Sequence, residues 1–294
     1  MATRRLSAFP IEYGSPSRIA GLTRTASSRR WLLGPILLLN TLLFLVPLGL
    51  MAETSFTGGL AGYRDVLHSP LLEKIVVNTL VISGITTILA VALAYLCALC
   101  AWRSGPLGRA VVLAFVLLPF WTGVLVKNFA WAALLQDNGT VNDILQALGI
   151  TSGPVTLLHT RGAVIVGMVH YTLPYAVLPI FAVMVAIDGR LERAAASLGA
   201  GPFAIARRVI VPLTLPGVYA ATLLVFIISV GFFITPIVLG GPRDQMVANL
   251  VEYYARDLVD FRAASVLAIM VTVTVSLLVV LYQRLPKEGQ YGTG

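Results

Sequence analysis

Residues able to do covalent or metal chemistry are few in this chain and poorly placed for it. His68, His159 and His170 lie far apart, and only His170 falls inside an apolar run. Cys97 and Cys100 share another apolar run with no histidine near in sequence, which suits two small, buried helix-packing residues better than a redox or zinc pair. A loop that cradles phosphate needs G-x-x-x-x-G-K-[ST], yet the lysines here follow Glu73, Val126 and Pro286. There is no G-x-S-x-G elbow and no H-E-x-x-H pair. An enzyme working by itself is not expected.

One stretch concentrates polar and conformationally special residues: Asp188 to Pro212. Leu191 to Leu198 consists of good helix formers and stops at Gly199, a residue able to take positive φ. Pro202 then suits the first turn of a second short helix carrying Phe203, Ile205, Ile210 and Val211. Ala194, Ala195 and Ala196 give the first helix a small-residue surface that another backbone can approach closely. The spacing predicts two short helices at an angle, and a side chain at Gly199 would re-aim one against the other. An ordinary helical loop carrying topology-setting arginines fits the same residues.

The elements that hold this loop follow from composition. The 294 residues are 57% apolar and 12% charged, with mean hydropathy +0.87. An average soluble domain carries about a quarter charged residues, so the solvent here is lipid. Runs free of Asp, Glu, Lys and Arg occur at 31–52, 75–102, 110–126, 163–187, 213–240 and 263–283. Each is near the roughly 20 residues that a helix needs to cross a bilayer. The reading is an all-α membrane protein of six transmembrane helices, with the Asp188–Pro212 loop between helices 4 and 5. With both termini inside, the inner segments hold 14 basic residues and the outer ones 7, which sets the orientation. Lys127 counts among the outer residues on this reading.

Residues 1–30 read as a flexible basic cytoplasmic tail, 31–283 as one membrane domain and 284–294 as a short cytoplasmic tail. The first apolar run, at 22 residues, exceeds a signal-peptide core and is expected to remain as a helix. Basic residues are dispersed between apolar runs, which points to topology and not to nucleic acid. No carboxylate lies inside any of the six runs, and no internal repeat is evident, whereas ion-coupled carriers use midplane ionisable groups and often repeats. Val141, Ile144, Leu145 and Leu148 make a short amphipathic helix on the outer side. Asp244, Glu252, Asp257 and Asp260, with Tyr253 and Tyr254, form an acidic outer segment, either a solvated face or a contact for a partner or a cation. Trp121, Trp131, His170, Tyr171, Tyr175 and Phe232 are able to line a passage for an organic cation; helix packing and interfacial anchoring are the other readings.

The loop resembles the E-A-A-x-x-x-G-x9-I-x-L-P signature of permease subunits in binding-protein-dependent ABC importers. Ala194, Ala195, Gly199 and Pro212 match, Val209 stands for the Ile and Val211 for the Leu, while Arg193 occupies the Glu position with Glu192 just before it. Tyr63-Arg-Asp-Val-Leu, Asn78-Thr-Leu, Asn138-Gly-Thr-Val-Asn142, Leu173-Pro-Tyr-Ala-Val-Leu-Pro179 and Phe226 to Pro242 extend the likeness, the last toward the spermidine/putrescine-type branch. The resemblance implies a multi-pass protein of a bacterial inner membrane with both termini cytoplasmic. It implies that the loop couples to a separate ATPase that binds the ATP and Mg, so this chain has no cofactor of its own. The partners it implies are two ATP-binding subunits, a second permease subunit forming a heterodimer, and a periplasmic or extracellular solute-binding protein. The solute implied by the branch is a polyamine, and another small organic or inorganic solute is the alternative.

Overall fold

The computed structural model describes residues 20–57 and 59–284, with side chains from residue 34 onward. Residues 1–19 and 285–294, which hold most of the two expected tails, lie outside the described residues. The chain divides into two compact units between Glu53 and Thr54. All but the last three residues of helix α1 (Ala20–Phe56) belong to the first unit. This helix begins inside the segment read as tail, because no Gly or Pro interrupts the run from Leu22 to Arg30. Ile36, Leu37, Leu38, Leu39, Leu43 and Phe44 are exposed, as in a helix solvated by lipid.

The second unit holds α2 (Gly59–Leu67), α3 (Pro70–Arg103), α4 (Pro106–Leu117), α5 (Val124–Leu135), α6 (Thr140–Ala147) and α7 (Arg161–Val185). It continues with α8 (Gly189–Ser197), α9 (Pro202–Ile205), α10 (Val211–Val230), α11 (Ile234–Leu239), α12 (Val247–Arg256) and α13 (Phe261–Arg284). Five helices are long and apolar enough to cross a bilayer: residues 34–56, α3, α7, the continuous stretch Pro202–Val230 and α13. A sixth span is counted if α4 and α5 are joined across their 103° bend.

Two of the six apolar runs are therefore not single rods. Run 110–126 is interrupted by a 3-10 turn at Leu118–Trp121 containing Pro119, and by extended backbone at Thr122 and Gly123. Run 213–240 ends as a helix at Val230; Gly231 caps it, and α11 starts afresh with Pro236, which has no N–H to donate back. Hydropathy records composition and is blind to a change of direction.

The core is α3, α7 and α10 packed on one another. Lipid supplies no hydrophobic drive between helices, so close van der Waals fit must hold them. Each helix presents a row that permits it. Ala90, Ala94 and Ala98 recur every four residues in α3, and Met168, Thr172, Ala176, Ile180 and Met184 do so in α7. Gly217, Ala221, Val225 and Ser229 complete the set in α10. Cys97 is half-buried beside this core, whereas Cys100 is exposed on α3, contrary to the expectation that both are buried: a three-residue step carries it past the packed stripe. A second cluster joins Ile82, Leu135, Met168, Phe232, Leu239 and Met246, and a third joins Leu72, Ile75, Val247, Leu250 and Leu267.

Candidate functional site

The loop expected to bear the function forms an elbow. Asp188 caps α8 by accepting the Arg190 N–H at 2.8 Å. The helix closes with Gly199 N–H on the Ala196 carbonyl at 2.9 Å and Ala200 N–H on the Ala195 carbonyl at 3.1 Å. That is the Schellman pattern, and Gly199 sits at φ +86° within it. Leu191, Ala194 and Leu198, at i, i+3 and i+7, are exposed on one face; Leu198 is 89% exposed, and Phe203 beyond the elbow 77%. Glu192 faces the other way, 3.7 Å from Arg103 at the end of α3, while Arg193 is exposed. Ala195 is half-buried. The residue beside the signature's Glu position thus ties the elbow to the membrane body, through a contact worth no more than about 1 kcal/mol at this exposure.

The second limb differs from expectation. It is not a separate short helix but the opening of Pro202–Val230, one uninterrupted helix. Pro212 would break an α-helix there, but residues 206–210 form a π-turn in which Val211 N–H reaches back to the Ala206 carbonyl. The widened turn accommodates the proline ring. Val209 is half-buried within this turn and Pro212 is exposed just after it. Any force on the elbow therefore passes directly into α10 and the core.

The aromatic residues converge around the α4–α5 bend. The Tyr171 and Tyr175 rings stack at 5.7 Å, and Phe232 meets Tyr171 edge-on at 4.7 Å. Phe120, not singled out in sequence, contacts Tyr175 at 5.4 Å and Trp121 at 6.3 Å. Trp121 itself is 87% exposed. Trp131 and His170 form their own pair: the indole N–H donates to Nδ1 of His170 at 3.0 Å. An indole N–H only donates, so the Nδ1 of His170 carries its lone pair here.

The same bend corrects the place of Lys127. Its ammonium lies 4.9 Å from the Tyr171 ring centroid, and the residue is 9% exposed. Tyr171 is ten residues into the 25-residue α7, about 15 Å along it. Lys127 therefore stands near mid-span instead of on the outer side, and an ionisable group is present where none was expected. The clue in the sequence is Pro119 with Gly123, which turn the chain back before the lysine. Beside it, Asn128 is buried and accepts a hydrogen bond from Thr235 at 3.0 Å.

No family model matches the chain. The spermidine/putrescine transport system permease protein PotB of Haemophilus influenzae is 36% identical over 221 residues, covering 75% of this chain and 77% of that protein. The chain belongs to the permease family of ABC importers, in the PotB branch. PotB of Escherichia coli is 28% identical over 218 residues, covering 74% and 79%. A chain of the bacterial alginate ABC transporter, crystallised with its alginate-bound periplasmic protein, superposes with TM-score 0.72 over 88% of this chain and 94% of that one. At 20% identity that likeness speaks for the fold. This chain is thus a multi-pass membrane permease subunit, and permease subunits are not enzymes.

At the other end of the permease a polar network pins the segment after α11. Asn78 of α3 donates to the Arg243 carbonyl at 3.1 Å and the Gln245 carbonyl at 2.8 Å, and its oxygen accepts from Arg161 at 2.6 Å. Arg161 also reaches Asp244 at 3.4 Å, and Asp244 accepts the Gly241 N–H at 3.1 Å. Asp244 is only 6% exposed, so it is no part of a solvated acidic face; the network takes it inside. Thr79 accepts from Val247 N–H at 2.9 Å. Asn78→Leu strands two carbonyls and one guanidinium contact, which is expected to cost about 2–4 kcal/mol. Limited proteolysis of the inserted permease should then cut at residues 240–246 far faster than in the unaltered protein, and unchanged protection would contradict this role.

Proposed function

We propose that this permease carries a polyamine such as spermidine or putrescine across a bacterial inner membrane. A soluble binding protein hands over the solute, and a separate ATPase supplies the power. The solute class is that of the PotB relatives. In this reading the chain spans the membrane six times, with the bent α4–α5 pair as the third span and the elbow on the cytoplasmic side. A second permease subunit completes the passage, and two ATP-binding subunits, which hold the ATP and Mg, each seat one elbow.

The observation that carries this reading is the elbow's continuity with α10. The exposed face of Leu191, Ala194, Leu198 and Phe203 offers an apolar docking surface. Glu192 and Arg193 flank it, Ala194 and Ala195 allow close approach, Gly199 sets the angle, and Val209 and Pro212 lie where the limb enters the core. Displacing the elbow by one ATPase movement would turn α10 against α3 and α7, a rocking of packed helices between two states. Trp121, Trp131, His170, Tyr171, Tyr175 and Phe232 are then the aromatic wall of the passage, a chemistry suited to ammonium groups. At the outer mouth Glu252, Tyr253 and Asp257 line a cavity of about 350 Å³ with Gln245 and Asn249, groups suited to receiving an amine.

The test is reconstitution of the permease with a second permease subunit, the ATPase and the binding protein. Labelled putrescine should accumulate in proteoliposomes only when ATP and the binding protein are both supplied. Uptake by the purified chain alone would replace this reading with an autonomous carrier or channel. ATP-driven uptake of a different solute would overturn the polyamine alone.

A further inference from the structure

Lys127 is a charged group against the aromatic cluster that the proposed passage does not use, and it stands where a lysine is costly. It is buried near mid-span, and among the described residues no carboxylate pairs with it. It also occupies the first turn of α5, whose N-terminal end carries positive partial charge and disfavours a cation. An ionisable group inside a membrane span normally marks a pathway or a partner. The partner here is the face of Tyr171, 4.9 Å from the ammonium. That ring is held in turn by stacking on Tyr175 and by the edge of Phe232.

We propose that Lys127 is a tethered cation that closes the aromatic passage to small inorganic cations and cedes Tyr171 to an ammonium group of the solute. Two positive features meet at the bend, the lysine and the N-terminal end of α5, and fixed positive groups of this kind exclude cations from a narrow passage. Lysine suits the task better than a rigid residue. Its point charge rides on a flexible four-carbon stem and can swing off the ring when the helices move. An arriving alkylammonium then restores the cation–π contact that the lysine gave up, so the exchange costs little. A hydrated potassium or sodium ion gains no such equivalence and meets a like charge in an apolar setting. The exchange step rests on the polyamine reading; the barrier to inorganic ions does not.

The complete transporter in proteoliposomes provides the test, with potassium flux followed by a voltage-sensitive dye in the absence of ATP. The unaltered protein and Lys127→Arg should be tight, while Lys127→Met should leak at least roughly tenfold faster, since the fixed charge is gone. Tyr171→Leu, which keeps the lysine but removes its seat, should leak measurably. Lys127→Met liposomes as tight as the unaltered ones would overturn the proposal. Should Lys127→Met not assemble, an equally tight Tyr171→Leu would overturn it as well. Putrescine uptake is recorded in parallel: its absence from the unaltered transporter strikes the solute reading, while the potassium result still decides the barrier.

Discussion

Replacing Gly199 by valine is expected to lower ATP-driven uptake at least roughly tenfold while the permease still inserts and folds. The reason is backbone, not space. Gly199 sits at φ +86°, and a Cβ added there meets nothing within 4 Å. An L-residue in this conformation costs about 1–2 kcal/mol, and a β-branched one more. The elbow can shed that strain by leaving the Schellman closure, which releases the Gly199 and Ala200 N–H bonds and swings α8 away from Pro202. A strain of about 2 kcal/mol reduces the correctly aimed elbow about thirtyfold, whereas membrane packing, all remote from residue 199, is untouched. Asparagine, similar in volume but tolerant of positive φ, separates the two explanations. Gly199→Asn should keep most of the uptake, Gly199→Leu should lose more, and Gly199→Val should lose most of all. Co-purification of the ATPase with each variant should follow the same order. Equal uptake by the valine and asparagine variants would mean that the angle of the elbow is not what couples.

What the sequence disclosed follows the range of the forces involved. The end of α8 was readable because capping is local and Gly199 closes a turn onto the residues just before it. The helix starts, however, at Gly189, two residues ahead of the Leu191 read from sequence, where Asp188 bonds a backbone N–H two residues on. The second limb was misread because Pro212 looks like a helix boundary, and a π-turn that admits a proline leaves no mark in residue type. The apolar runs marked the apolar helices but not where the chain changes direction within them. Lys127 follows an apolar run, and counting charges alone put it outside; only the turn at Pro119 and Gly123 brings it back against Tyr171. Asn78 and Thr79 stand in an apolar run as two polar residues, and only the Thr79 hydroxyl finds a local partner, the Ile75 carbonyl. Their other partners are distant: Arg161 lies 83 residues from Asn78, and Arg243, Gln245 and Val247 lie more than 160 residues away. The aromatic residues were visible as a set, and the structure joins Tyr171, Tyr175 and Phe232, but Phe120 as their link to Trp121 needed the fold.

Gly217→Val should leave almost no folded permease in the membrane, and this follows from how α7 meets α10. A Cβ at Gly217 would lie 2.9 Å from the Pro179 carbonyl oxygen, 3.0 Å from Cγ2 of Val183 and 3.1 Å from Cα of Ile180. Two of these three are backbone atoms, so no rotamer change relieves the clash and the helices must separate. Separation opens a seam whose hold is van der Waals contact alone, since lipid gives no drive to close it again. Intrinsic propensity argues the other way, because Ala is favoured over Gly in a helix interior by about 1 kcal/mol. Overpacking against immovable atoms costs about 1–3 kcal/mol for a single added group, so even Gly217→Ala should destabilise, and valine, with two further methyl groups, much more. Gly84 in α3 supplies the control, as a Cβ there meets nothing within 4 Å. Gly84→Ala should match or exceed the stability of the unaltered protein by up to about 1 kcal/mol. Thermal aggregation in detergent and the amount retained in membranes measure both. A Gly217→Val permease that accumulates and melts like the unaltered one would show that α7 and α10 can part without loss. The elbow, which is continuous with α10, would then have no stiff core to push against.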